Sequence, residues 1–325
     1  MKNVVVVDAR QPSQAILRRA AKLLHDRRLV AFPTETVYGL GANALDATAV
    51  RKIFAVKQRP GWDPLIVHVR DLLTASTLMK RPPPQFERLA ERFWPGALTL
   101  VVEKSTQVPS EVTAGRSTVA LRMPRHPVAS ALLAAADIPI AAPSANRFGR
   151  PSPTRAEHVV ADFGDQVDLI LDAGPTPLGV ESTVLDLTQS PAAILRPGGV
   201  SREELTEAIG RVQMAPGVSD RLARGGLAGP GMMLKHYAPQ TPLELFETEE
   251  QLQVRAQELR INSKRVGIVT SSADPTALAQ TLFAQLRSLD AQNVDVILCA
   301  LPSAEGIGLA VRDRLLRAAG LPPGK

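Results

Sequence analysis

The stretch Leu29-Val30-Ala31-Phe32-Pro33-Thr34-Glu35-Thr36-Val37-Tyr38-Gly39-Leu40-Gly41 runs from four apolar residues into a loop of two hydroxyls, a carboxylate and two glycines. A short apolar run that stops at Pro-Thr-Glu-Thr reads as a strand ending in a polar turn. Open α/β sheets hold ligands at such strand ends; the alternative is an ordinary turn in which Thr and Gly serve the backbone alone. Upstream, Ser13 has the chemistry of an N-cap, and Ile16, Ala20, Leu23 and Leu24 share one helical face. Downstream, Asp46 caps a second helix with Val50, Ile53 and Phe54 on its buried stripe. Further strands are expected at 64–69, 98–102, 118–121, 138–142, 169–171, 183–187 and 193–195, and Pro82-Pro83-Pro84 stops any regular element between them. Ser201 and Glu204 make a capping box for a last helix ending near Gly210. Many strands with few helices between them imply an α/β domain built on a large twisted mixed sheet.

From about Val212 the pattern dissolves. Gly225, Gly226, Gly229, Pro230 and Gly231 fall within seven residues, as in a connector. Strands at 243–246, 266–270 and 294–299 then alternate with helices at 249–260 and 275–289, and a final helix fits 307–319. That pattern is a small parallel α/β unit. The chain of 325 residues therefore divides into a first domain at 1–211, a linker at 212–240 and a second domain at 241–325.

Composition narrows the chemistry. One cysteine, Cys299, excludes an intramolecular disulfide framework and fits a reducing compartment. The first apolar run, Val4 to Val7, is too short for a secretory segment, and no stretch approaches a membrane span, so a soluble cytoplasmic protein is expected. The net charge of +6 is uneven: residues 241–325 carry 9 basic and 10 acidic side chains, residues 1–240 carry 29 and 22. The basic surplus favours an anionic substrate or nucleic acid, or simply a soluble surface. No GxxxxGK[ST] loop, HExxH helix or GxSxG elbow occurs, and the five histidines show no zinc spacing. Positioning and charge neutralisation fit this chain better than a covalent intermediate.

Three further segments place polar residues at strand ends. Lys57-Gln58-Arg59-Pro60-Gly61-Trp62-Asp63-Pro64 sets two cations two residues apart, suited to a polyphosphate or merely to the dipole of the preceding helix. His68 follows on a strand, where a packed core histidine is the commoner case. Pro143-Ser144-Ala145-Asn146, with Ser152 beyond it, follows one strand; Glu181-Ser182-Thr183 opens another, ahead of Arg196-Pro197-Gly198-Gly199. Thr118 and Arg122 flank a short strand.

In order and spacing, the PTETVYGLG loop, Lys57-x-Arg59 with Pro64-Leu65-Ile66-Val67-His68-Val69, Ser144-Ala145-Asn146 and Ser182-Thr183-Val184 resemble the Sua5/YrdC/YwlC family of threonylcarbamoyl-AMP synthases. Pro230-Gly231-Met232 and His236-Tyr237-Ala238-Pro239 look like the linker of the long Sua5 form. The resemblance implies a YrdC-like domain followed by a small Rossmann-like domain. It also implies a reaction: L-threonine, bicarbonate or CO2, and ATP with Mg2+ give L-threonylcarbamoyl-AMP and pyrophosphate. Other proteins of the tRNA threonylcarbamoyl-transferase machinery then modify adenosine 37 of tRNAs reading ANN codons.

Carried over by position, the family's threonine site falls on Thr36, His68, Arg122, Ala142 and Ser182, with Arg122 against the carboxylate. Its nucleotide site falls on Arg59, Asp63, Thr118, Ser144, Ser152, Arg196 and Tyr237. Lys57, Arg59, Ser144 and Asn146 form the quartet around the phosphates, and Mg2+ is expected through the phosphates rather than a protein cage. Two departures stand out. Position 63 is usually Asn and here is Asp, and Met233-Leu234-Lys235 replaces a more polar, basic stretch. Two other readings differ in kind: an RNA-binding module, whose base stacking the 4% aromatic content disfavours, with weak RNA binding left open, and the related domain of hydrogenase-maturation proteins, whose extra segments do not fit this length.

Overall fold

The computed structural model describes residues 3–215, 236–270 and 274–322. Most of the glycine-rich connector, with Pro230-Gly231-Met232 and Met233-Leu234-Lys235, lies outside them. Among the described residues, eleven strands form one sheet: β1 (Val4–Val6), β2 (Val30–Pro33), β3 (Tyr38–Asn43), β4 (Ile66–His68), β5 (Leu98–Glu103), β6 (Thr118–Arg122), β7 (Ile140–Ala141), β8 (Leu169–Asp172), β9 (Thr183–Asp186), β10 (Ala193–Arg196) and β11 (Gln213–Met214). Their order is β1-β8-β2-β3-β7-β4-β6-β5-β9-β10-β11. Parallel pairs such as β2 with β8 and β4 with β6 mix with antiparallel pairs such as β2 with β3 and β5 with β6, as the expected mixed sheet requires.

Eight helices cover this sheet: α1 (Gln14–His25), α2 (Ala47–Lys57), α3 (Leu72–Leu78), α4 (Phe86–Phe93), α5 (Ser110–Thr113), α6 (Pro127–Ala136), α7 (Ala156–Phe163) and α8 (Arg202–Ile209). Successive side chains of a strand point to opposite faces, so both faces acquire a core. Val30 and Phe32 of β2 pack with Leu17 and Leu24 of α1 and Val128 and Leu132 of α6. Ala31 turns the other way, into a larger core with Val50 and Ile53 of α2 and Leu89 of α4.

Several readings are corrected. Ser13 precedes α1 without a side-chain capping bond, whereas Asp46 accepts from the Thr48 and Ala49 amides and Ser201 with Glu204 completes its capping box. The polar loop after Phe32 is shorter than expected, because Tyr38 to Asn43 pairs back on β2 as a strand. Its Gly41 is forced by close approach: a Cβ there would lie 2.8 Å from the Phe32 ring and 2.9 Å from Ile140. The helices between 72 and 163 exceed the few expected.

The second sheet holds β12 (Leu243–Phe246), β13 (Val266–Ile268) and β14 (Val296–Ala300) in the order β12-β14-β13, all parallel. With α9 (Glu249–Ile261), α10 (Pro275–Ala291) and α11 (Ile307–Ala318) it forms the expected small parallel α/β unit. This unit docks on the first sheet's loops. Leu278, Phe283 and Val311 share one core with Val37, Val180 and Tyr237. Arg287 pairs with Asp162 at 2.6 Å and Arg150 with Asp290 at 3.1 Å. At Gly179, where φ is +79°, a Cβ would lie 2.2 Å from the Ala279 carbonyl oxygen. No helix of the described residues is long and apolar enough to cross a membrane.

Candidate active site

The polar turn after β2 is organised by Thr34. Its Oγ1 donates to the Val37 carbonyl at 2.7 Å and accepts from the Thr36 and Val37 amides. This aims Thr36 Oγ1 at Arg122, the last residue of β6, whose Nη1 lies 3.0 Å away. Nη2 of Arg122 meets Glu35 Oε1 at 2.7 Å, and Nε donates to the Gly96 carbonyl at 3.1 Å. Glu35 Oε2 accepts from the Arg125 amide. Burial alone would raise the Glu35 carboxyl's pKa, but the charge and hydrogen bond of Arg122 outweigh it and hold the group below its usual range. A guanidinium has five N–H donors. Three are used here, and two remain for a carboxylate.

His68 stands beside Arg122 in strand register. Burial and the neighbouring guanidinium push its imidazole down to about 3, so it is neutral, and its contact with the Ile140 backbone falls short of a well-aligned hydrogen bond. A buried imidazole without a well-aligned partner is costly unless a ligand completes it.

The loop after β7 is stitched to β3: the Ala145 amide donates to the Tyr38 carbonyl at 2.8 Å, and Ser144 bridges Gly39. Lys57 holds it from behind. Helix α2 ends because Gln58 turns left-handed at φ +54°. Lys57 is buried at 1% exposure, with Nζ donating to the Ser144 and Asn146 carbonyls at 2.7 and 2.5 Å. It therefore serves the loop rather than its own helix terminus, and burial with the nearby Arg59 charge lowers its pKa well below the ordinary lysine value. Arg59 donates to the Asp63 and Pro64 carbonyls, and its Nη2 lies 2.9 Å from Asp63 Oδ2. That last contact is ionic rather than a hydrogen bond, since neither Asp63 oxygen has an aligned donor. Burial raises the Asp63 carboxyl, opposed by Arg59. Across the site Arg196 donates to the Ser182 carbonyl and, at 3.2 Å, to Ser182 Oγ, which also meets Thr99 Oγ1.

These groups surround one cavity of about 40 Å³. Of the expected site residues, Thr36, Arg59, His68, Arg122, Ala142, Ser144, Ser182, Arg196 and Tyr237 line it. Asp63, Lys57 and Asn146 stand behind that lining, and Ser152 reaches it through its hydrogen bond to Glu181. Thr118 opens the strand that Arg122 closes, about 13 Å away, and is outside the cavity. Glu35 and His236 were not expected as site residues, nor was Glu181. All three lie beside expected residues in sequence: Glu35 beside Thr36, Glu181 beside Ser182 and His236 beside Tyr237. Glu181 is buried, yet Arg314 and Arg196 hold its carboxyl below the usual range against the upward push of burial. His236 and Tyr237 line the cavity together with the strand-end loops. Among the described residues no cluster of three or more His, Cys, Asp or Glu side chains suits a metal ion.

The chain is similar to known proteins along most of its length. Residues 22–198 match the family model that joins Sua5, YciO and YrdC, described as telomere recombination, and residues 200–320 match the threonylcarbamoyl-AMP synthase C-terminal domain. The chain is 44% identical over 320 residues to a threonylcarbamoyl-AMP synthase of Pyrococcus abyssi, covering 94% of each. It is 43% identical to that of Bacillus subtilis, over 98% of this chain and 96% of the other. The crystal structure of P. abyssi Sua5 complexed with L-threonine superposes with a TM-score of 0.91 at 42% identity, covering 98% of this chain and 97% of that one.

Proposed function

Since the chain belongs to the Sua5/YrdC family of threonylcarbamoyl-AMP synthases, we propose that its cavity forms L-threonylcarbamoyl-AMP and pyrophosphate from L-threonine, bicarbonate or CO2, and ATP. The observation that carries this reading is the gathering, in one cavity, of a guanidinium with two N–H groups to spare and two further arginines. At one end Arg122 offers its two unused N–H groups to the threonine carboxylate, a bidentate geometry. Neutral His68 and the hydroxyls of Thr36 and Ser182 supply donors and acceptors for the amine and hydroxyl, with the Ala142 backbone beside them. Carboxylation of the amine by CO2 gives a carbamate. Its oxygen attacks the α-phosphorus of ATP, and the Pα–O bond to pyrophosphate breaks. No enzyme nucleophile is needed.

Arg59, Arg196 and Ser144 face the phosphates and neutralise the charge that moves to pyrophosphate, which is catalysis by position and electrostatics. Lys57 fixes the Ser144–Asn146 loop, while Asp63, Ser152 and Thr118 belong to the nucleotide's periphery. Mg2+ carried by the triphosphate would add further neutralisation. The buried oxygens of Asn146 and Asp63, which complete no hydrogen bond, suit a hard cation bound mainly through phosphates and water, not an all-protein cage. Tyr237 and His236, at the cavity wall, help to exclude water from the labile carbamate. The product then passes, in the cytoplasm, to partners that modify adenosine 37 of tRNAs reading ANN codons. The test is pyrophosphate release from ATP with Mg2+ and bicarbonate, with and without L-threonine. Release that needs both threonine and bicarbonate is expected; release indifferent to threonine rejects the reaction.

A further inference from the structure

The second domain supplies a fully buried cation to the rear of the active site. Arg314 of α11 has no exposed surface. Its Nε meets Glu181 Oε2 at 2.6 Å, its Nη1 meets Asp313 at 2.6 Å and its Nη2 donates to the Pro197 carbonyl at 2.9 Å. Its guanidinium carbon lies 5.0 Å from the centre of the Tyr237 ring. One turn on, Arg317 pairs with Asp313 at 3.0 Å, and its carbonyl accepts the His236 amide. Glu181 in turn holds Ser152, and both Glu181 and Tyr237 line the cavity that Arg314 itself does not.

Electrostatics makes this contact more than an interface. A buried carboxylate at the wall of a triphosphate site repels the substrate unless a cation neutralises it, and an unpaired buried charge is strongly unfavourable. We propose that Arg314 is a positioning residue of the active site: it neutralises Glu181 and seats the Tyr237 ring, so that the second domain completes the nucleotide end of the cavity. This explains why Glu181, Pro197 and Tyr237, from three separate segments, converge on one side chain of another domain.

The inference rests on the reaction proposed above, and kinetics separates the two. Arg314→Met keeps the side-chain bulk and removes the charge. Its kcat/KM for ATP is expected to fall about 100-fold, as when one partner of a buried ion pair is removed, with the KM for threonine little changed. Adding Glu181→Gln removes the stranded carboxylate and should recover about tenfold of that loss. A purely structural interface would lower the melting temperature without this ATP-specific loss or the recovery. If Arg314→Met does not fold, Arg314→Gln serves, since it also removes the charge while keeping a hydrogen-bond donor. Wild-type kcat/KM for ATP in whichever folded variant is measured overturns the role of Arg314. A wild-type protein without threonine-dependent pyrophosphate release overturns the underlying reaction instead.

Discussion

The two ends of the cavity handle positive charge differently. At the amino-acid end Arg122 is locked into a finished ion pair: both Glu35 oxygens are used, one by the guanidinium and one by the Arg125 amide. At the phosphate end Arg59 faces a carboxylate that completes no hydrogen bond, Arg196 donates to a carbonyl and a hydroxyl and shares the Glu181 carboxylate's field with Arg314, and Lys57 lies just behind. Each end matches the charge of what it would hold. A single carboxylate needs oriented donors more than net charge, and a triphosphate needs cations whose own counter-ions are weakly engaged.

The strongest way to break this comparison is to remove cations from the phosphate end. Arg59→Ala, which removes a cation, and Lys57→Ala, which frees the Ser144–Asn146 loop, are each expected to lower kcat/KM for ATP about 1,000-fold, the scale of losing a preorganised electrostatic group. Circular dichroism should show an unchanged fold for Arg59→Ala. Near wild-type pyrophosphate release from both would mean that the phosphates are neutralised elsewhere. At the other end, Arg122→Lys keeps the charge and loses the fork. The KM for threonine should rise about 30-fold, the cost of a charge-assisted hydrogen bond, while the KM for ATP stays put. A parallel rise in both would erase the distinction between the ends.

The sequence made the phosphate end easier to read than its supports. Lys57-x-Arg59 and Ser144-x-Asn146 are local patterns, and short apolar runs such as 98–102 mark the strands of the sheet. Helix α6 was illegible because Pro127–Ala136 carries no charged residue, so it shows no polar face from which a period could be drawn. Helix α4 did carry a signal, with Phe86, Leu89, Ala90 and Phe93 spaced three and four apart, but it begins just past the proline triplet. Glu181 and Arg314 are 133 residues apart, and no spacing rule links a carboxylate to a cation in another domain. Lys57 was legible as a cation but not as a clamp on two carbonyls, which depends on where β7 delivers its loop.

Titration offers a smaller test. The imidazole of His68 is pushed down to about 3 from an ordinary 6.5. The unfolded chain therefore takes up a proton below pH 6.5 that the folded chain refuses, so stability is intact above that value and drains away as the pH falls towards 3. At pH 5 this residue alone should cost about 2 kcal/mol relative to pH 7. Urea unfolding of His68→Gln at the two pH values should show a drop smaller by about that amount. An identical drop would place the acid sensitivity in other groups. The same shift predicts no inflection from His68 in activity between pH 5 and 8.

The smallest expected effect bears on the counter-ion of Arg59. If Asp63 competes with the triphosphate for that guanidinium, Asp63→Asn should release it and lower the KM for ATP about threefold, within the range of a modest charge interaction. The amide keeps the shape of the side chain, so the threonine KM and the melting temperature should move little. The opposite result is equally informative: a raised KM would mean that the carboxylate orients Arg59, or meets the cation carried by the phosphates, rather than competing with the substrate. The two ends of the cavity would then share one design, each arginine aimed by its own carboxylate.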